Sequence, residues 1–477
     1  MRFQGISRTS AAAIVAAAIA TGAAAQNFDL EPRIGFPDFK FMPPPSEHSG
    51  EVFVLSADFP ADLPDPDPAV EDILSHDFQG DPIGYAMKVR DYVFAGNIKG
   101  NGDVSGDFVL HNNAAGHDWY HVPWQHWGSA GREGYHGLTR EGPLSPKVLA
   151  PTQTDGSSAY AVGFYNNLGG WTIGQVWRDA DSGPDLSRFI AGEGFAEGTV
   201  VGKFLFTVLG DDQVPFLRNP LQWNAYMYDC DVPGLAPEKC GRLTGDEPHS
   251  TQQVNLLQMD IMVKDSRAEE AGGWVFGTFV YNGALPRGHA YSAACEGFVG
   301  DSARWCNLMP VGLMWGNDPQ NAMSYVNAEP TATRRPIGAL LQTRINGDPD
   351  LPAMHLGFNS RLNGPADNPA SSCMSCHATG QYPSVSAIMP FLPPNSLDTP
   401  ENGTEASAEW MRWFRNFAPG EAFDAGQAVS MDFSMQLTKS IENYVQYRSG
   451  IQGGRYAVEY AGSGDDSPIS RGAEPLN

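Results

Sequence analysis

The six cysteines of this 477-residue chain fall into three close pairs, and covalent links at such pairs restrict the fold before any packing is considered. Cys230/Cys240 and Cys295/Cys306 each enclose a short loop. In an oxidising compartment both pairs read as disulfides, each restricting the unfolded chain by about 2–3 kcal/mol, with cross-pairing among the four left open. The third pair, in "SSCMSCHATG" (371–380), is different: Cys373 and Cys376 enclose two residues, and His377 follows directly. A disulfide there is strained and leaves the histidine without a role.

That spacing is the one that fixes a c-type haem to a chain. The two thiols add to the vinyl groups, and the adjacent imidazole reaches the iron through Nε2. A redox dithiol, half of a zinc site and chance are the competing readings. A redox motif belongs in a thioredoxin-like βαβ setting, and none is visible. A tetrahedral zinc needs further thiolates or histidines nearby, and no histidine follows His377. The expected cofactor is one covalent haem c, held by Cys373 and Cys376 with His377 as proximal iron ligand.

Haem is attached to such motifs outside the cytoplasm, and residues 1–25 fit an export signal. Arg2 and Arg8 precede the apolar run Ala11–Ala20, and Ala23-Ala24-Ala25 offer a small-residue cleavage pattern. An uncleaved anchor is the alternative. The expected location is periplasmic or secreted. The formal net charge is −25, and removal of the leader strips two arginines and no acids. So negative a surface repels phosphate backbones and anionic lipids, which argues against nucleic acid and against stable membrane insertion. It suits a redox partner protein with a cationic docking surface, although plain solubility explains the same charge. No P-loop, dinucleotide fingerprint or serine-hydrolase context is present.

High glycine and proline (53 and 37 residues) with 18% charged residues predict turns and short strands, not a helical bundle. Residues 26–80 read as an extended Pro/Asp-rich arm. Residues 81–345 read as a β-rich domain holding the two disulfides, opened by a helix over Asp81–Phe94. Its strand candidates are "YAVGFYNN", "WTIGQVWRD", "GTVVGKFLFTVL", "WNAYMY", "VNLLQMDIMVK" and "GWVFGTFVYN", several of them alternating as half-buried strands do. Past Pro310 the strand signal fades. A helix around Arg335–Arg344 leads to a haem domain over 346–450, with a helix capped by Thr404 ("EASAEWMRWFRNF") and a last one over Met435–Arg448. Residues 451–477 read as a flexible tail. The expected class is α+β: a β-rich antiparallel N-terminal domain followed by a small, mostly α-helical cytochrome c-like domain.

Residues 346–450 resemble the small single-haem c-type cytochromes of class I, in which a methionine on a later loop completes the iron. The resemblance implies Met431 or Met435 as distal ligand, Met431 preferred because a loop aims a side chain more freely; Met389 and Met411 are further candidates. A ligand from upstream or an open iron site are the other possibilities. A second resemblance rests on "GFAEGTVVGKFLFTVL", "MDIMVKDSRAEEAGGWVFGTFVYN" and the later CxxCH. These are similar to the β-sheet cytochromes of hydroxylamine oxidation, whose haem carries a lysine cross-link. Lys203 stands in the matching strand. The chain departs from that pattern by inserting about 90 residues before the motif and continuing about 100 beyond it. As a whole it also resembles exported bacterial single-haem proteins of no assigned function. The expected function is haem binding and electron transfer. The alternative is a haem oxidoreductase acting on a small nitrogen- or oxygen-containing substrate at an open iron site. A binding protein with a redox-reporting haem is a third class.

The remaining chemistry is concentrated in "HNNAAGHDWYHVPWQHWGSAGREGYHGLTRE" (111–141), which packs His111, His117, His121, His126 and His136 among three tryptophans. Its spacing matches no zinc or copper pattern, so an aromatic loop packed on the sheet is the simpler reading. Arg132, Glu133, Arg140 and Glu141 read as pairing with one another, with haem propionates as the other role for the arginines.

Overall fold

In the computed structural model, residues 35–98, 108–111, 113, 115–235, 243, 245–285, 289, 291, 298, 300–326, 330, 339–385 and 400–449 are described. The segment 1–25, Cys240, Cys295, Met389 and the tail 451–477 lie outside them. Cys230 and Cys306 are each disulfide-bonded, whereas Cys373 and Cys376 are free.

The architecture is mixed α+β around one large antiparallel sheet. Its strands are β1 (Thr139–Leu144), β2 (Ser157–Tyr165), β3 (Val200–Thr207), β4 (Gln222–Tyr228), β5 (His249–Lys264), β6 (Trp274–Tyr281), β7 (Leu308–Met314) and β8 (Thr343–Ile345). They run in the order β1-β2-β3-β5-β6-β7-β8, with β4 joined to the first half of the long β5. A two-residue ladder, β9 (Gln381–Tyr382) with β10 (Val429–Ser430), stands apart. The helices are α1 (Pro68–Ser75), α2 (Pro82–Phe94), α3 (Asn167–Val176), α4 (Ser187–Ile190), α5 (Cys373–His377), α6 (Ala408–Met411) and α7 (Met435–Arg448).

The sheet is covered on both faces, so β2, β6 and β7 are buried along their whole length and not half buried. One face carries Phe164, Phe204 and Phe206, which pack with Trp305 and Trp223 at ring distances of 5.1, 4.6 and 4.4 Å between neighbours. Helix α2, N-capped by Asp81, adds Tyr85, Val89, Val93 and Phe94 to that side. The register puts two cross-strand rows on the other face: Tyr165, Val201, Met262, Phe276, and beside it Gly163, Lys203, Asp260, Thr278. The C-terminal segment covers them. Tyr165 meets Ser434 (2.9 Å between oxygens), and Phe276 touches the rings of His377 and Phe433. One core cluster therefore runs from Phe36 in the N-terminal arm through the sheet to Met374, Met431 and Ile441, while Phe358, Trp410 and Phe414 form a small core beside it.

Several sequence expectations are corrected. "WTIGQV" belongs to α3, because Asn166 caps it through Gly169 N–H and its β-branched residues are buried on a helical face. β7 continues the sheet past Pro310, and Thr343–Ile345 is its last strand, not the end of a helix. Helix α6 is one turn long and starts at a Ser407 cap, not at Thr404, before passing into a 3₁₀ turn.

At the β1–β2 edge, Asp231 accepts from Arg140 Nε and Nη2 (2.7 and 2.8 Å), Ser158 Oγ (2.7 Å) and Tyr160 Oη (2.8 Å). Removing so buried a carboxylate leaves the guanidinium uncompensated. Asp231→Ala is expected to lower unfolding free energy by about 3 kcal/mol in urea denaturation.

Candidate functional site

Helix α5 is five residues long, far below the length at which a helix holds itself, and side-chain caps fix it. Ser372 Oγ accepts from Ser375 N–H (3.1 Å) while Ser375 Oγ accepts from Ser372 N–H (2.8 Å), a reciprocal capping box. Cys373 N–H donates to the Leu362 carbonyl (3.1 Å). Arg361 pins that platform, donating to the carbonyls of Asn317, Asp318, Asn321 and Phe358 at 2.7–3.0 Å. At spacing i, i+3, i+4, Cys373, Cys376 and His377 share one helix face. These three keep accessible surface, whereas Met374, Ser375 and Ala378 are buried. All three chemistry-bearing side chains thus keep accessible surface on one face of the helix.

His377 is oriented from behind. Its Nδ1 lies 2.9 Å from the Phe433 carbonyl, which accepts the ring proton and leaves the Nε2 lone pair for a ligand. The β9–β10 ladder and the Met431 N–H to Gly380 carbonyl bond (2.8 Å) bring that carbonyl into place. Asp432 and Phe433 both have positive φ (48° and 67°), an uncommon conformation outside glycine. The Asp432 carboxylate holds it, accepting from Lys264 Nζ (2.8 and 2.9 Å), Trp274 Nε1 (2.9 Å) and Phe195 N–H (2.7 Å). Burial lowers the His377 pKa against the opposing pull of the Phe433 bond, keeping the ring neutral.

The sheet supplies polar neighbours to that face. Thr278 Oγ1 is 3.6 Å from Cys373 Sγ and donates to Asp260 Oδ1 at 3.0 Å. Gln258 Nε2 donates to both oxygens of Asp260 (2.8 and 2.9 Å) and to Asp367 Oδ2 (3.2 Å). Lys203 Nζ pairs with Glu141 Oε2 at 3.1 Å. Burial works against the charge on Lys203, but Glu141, Asp260 and Asp367 overcome it and raise its pKa. Burial first, then Asp367, raises the Asp260 pKa well above the usual carboxylate range. Burial and Asp367 likewise push the Cys376 thiol up to about 12. Gly163 lies under α7: a Cβ there would stand 2.3 Å from Gln436 Nε2 and displace the end of that side chain.

Met431 is fully buried and its thioether borders no accessible space, while Met435 Sδ lies 3.6 Å from Thr379 Oγ1. Met411 lies in α6. The five histidines of 111–136 go separate ways: His111 and His117 face Asp118 and Asp67, His136 stacks on Trp223, and His121 and His126 are buried. The pairing expected among Arg132, Glu133, Arg140 and Glu141 does not form. Arg140 takes Asp231, Glu141 takes Lys203, and Glu133 accepts the backbone N–H groups of Tyr135, His136 and Leu138. His289 approaches Asp348 and Asp350 (3.6 and 3.5 Å), but its Nδ1 accepts from Tyr291 N–H, which puts the ring proton on Nε2 toward the carboxylates. That grouping is a histidine N–H facing two carboxylates. Asp260, Thr278, Asp367 and Asp432 were not singled out by spacing or motif; the strand register, which makes Asp260 and Thr278 neighbours of Lys203, is the signal that finds two of them.

Comparison with family models, characterised proteins and solved structures finds no match.

Asp432→Asn is expected to cost about 3 kcal/mol by breaking a buried ion pair, and to speed exchange of the His377 Nδ1 proton in NMR. A further expectation concerns acid. His121, His126 and His355 all have pKa values lowered by burial, so the unfolded chain binds more protons below about pH 6.5 and stability falls as pH drops. Asp260, raised in the fold, works the other way, stabilising as pH falls. His249 and His377 are lowered as well and Asp91 is raised, so five groups against two predict a lower urea midpoint at pH 5.5 than at pH 7.5, by about a few tenths molar or more.

Proposed function

We propose that this chain is an exported haem c protein in which Cys373 and Cys376 carry the porphyrin and His377 Nε2 binds the iron, and that it is a haem oxidoreductase for a small nitrogen- or oxygen-containing molecule. The observation that carries the reading is the shared face of α5: two free thiols and an imidazole whose Nδ1 is already bonded to a backbone carbonyl. Both the donor set and its tautomer fit such a group. The haem supplies one-electron redox chemistry and a coordination position on iron.

The chain's own residues supply the rest. Asp260 holds a proton near neutrality and is held by Thr278 and Gln258, so it is the group placed to exchange a proton with a bound molecule. Lys203 keeps a positive charge beside it, and Glu141 and Asp367 balance that charge. A polar wall of this kind suits a site that receives a hydrogen-bonding ligand better than one sealed by a thioether. The reading assigns no ligand role to Met431 or Met435, whose segment is tied to the Nδ1 side of His377. The acidic balance of the chain supports electron exchange with a cationic partner protein.

Material from a host able to mature such proteins is expected to stay red after denaturation and acid-acetone washing, at the mass of the processed polypeptide plus one porphyrin. Cys373→Ala with Cys376→Ala is expected to abolish this. The ferric form is expected to be high-spin and to take up cyanide and nitric oxide, with Met431→Ala and Met435→Ala leaving the spectrum unchanged. A low-spin spectrum with a sulfur-to-iron band, indifferent to both ligands, would return the chain to a closed electron carrier.

A further inference from the structure

Buried polar nitrogens without hydrogen-bond partners collect in the histidine-rich segment. Of sixteen buried side-chain polar atoms lacking a hydrogen-bond partner among the described residues, seven lie between His117 and Arg132, and all seven are nitrogens. Native interiors satisfy nearly all such groups, so a concentration of orphans marks a place where something else belongs.

Arg132 is the centre of it. It is 3% exposed, and its Nη2 donates to the Val122 carbonyl at 3.1 Å, while Nε and Nη1 have no acceptor. No ion pair to Arg132 occurs among the described residues; the nearest charge felt, Asp38, acts at a distance and spends Oδ1 on the Leu55 N–H (2.8 Å). Arg361 gives the contrast within the same molecule: equally buried, it donates to four carbonyls.

His121 stands beside Arg132. It is wholly buried, and its Nδ1 accepts from Ser56 N–H (3.1 Å), which places the ring proton on Nε2, an atom with no acceptor. Phe53 supports both groups, its ring lying 4.9 Å from the imidazole and 5.2 Å from the guanidinium carbon. The Val122 carbonyl that Arg132 grips belongs to the residue after His121, and the Arg132 charge acts on the His121 ring. His126, also buried and with an orphaned Nδ1, feels the same guanidinium.

Together these groups offer N–H donors and a buried positive charge opposed only by Asp38 at a distance. A water molecule would satisfy two of the donors and leave the charge as it was, and an uncompensated interior charge is expensive. We propose that Arg132 Nε and Nη1 with His121 Nε2 form an internal binding site for a small monovalent anion of halide size. Both histidines are held neutral by burial, so a single negative charge balances the site. The proposal is independent of the haem reading and stands or falls without it.

Crystals of the wild-type protein grown with bromide in place of chloride are expected to show an anomalous peak within hydrogen-bonding distance of Arg132 Nη1. In solution, the melting temperature is expected to rise with bromide or chloride to a plateau in the wild type. That saturable rise should vanish in Arg132→Gln, leaving the general salt response. Should that variant fail to fold, His121→Phe, which removes the Nε2 donor and keeps the ring, is expected to weaken halide affinity at least several-fold. An interior peak with no anomalous signal, or a melting temperature that follows ionic strength alone whatever the anion, overturns the site and assigns the space to water.

Discussion

The buried contact between Asp432 and the end of the β5–β6 hairpin is the interaction on which the site's geometry rests. Lys264 and Trp274 are cross-strand partners at that end, and both reach the same carboxylate. The carboxylate in turn keeps two consecutive residues in a left-handed conformation that neither prefers. The carbonyl behind His377 is a product of that turn. A strand register set in the middle of the chain thus fixes the direction of an imidazole more than a hundred residues later, through a single charged side chain.

The two faces of the sheet divide the work. One is filled by aromatic rings in edge and stacked contacts, which is ordinary close packing and leaves no room for chemistry. The other carries a row in which lysine, aspartate and threonine replace apolar residues at consecutive strand positions. Interiors tolerate such a row when every member is satisfied, as Gln258, Glu141 and Asp367 do here. Buried polarity concentrated at one place, next to two thiols and a histidine, is what separates a site from a core.

Much of this was legible beforehand, for local reasons. Strands β3 to β6 announce themselves by alternation and by β-branched and aromatic residues, and α2 and α7 by their caps and apolar stripes. The motif at 373–377 is explicit because its chemistry needs three residues at fixed spacing. The misses are equally physical. Pro310 masks β7, since proline ordinarily argues against a central strand. Trp171, Thr172, Ile173 and Val176 favour a strand, yet Asn166 and the space above β3 make that stretch a helix. Asp260 and Asp432 look like any acidic residue in the sequence, because burial and cross-strand neighbours are properties of the assembled sheet.

The shared core has a consequence for how this molecule can be divided. The apolar row Tyr165, Val201, Met262 and Phe276 finds its covering in residues 377 and 433–434, far along the chain. A fragment ending before them would present that stripe to water, a surface that glues to itself before it dissolves. The described C-terminal residues, 377–385 and 400–449, are accordingly no appendage that evolution or an experimenter can detach. They are the second half of a sandwich whose first half has no reason to exist alone.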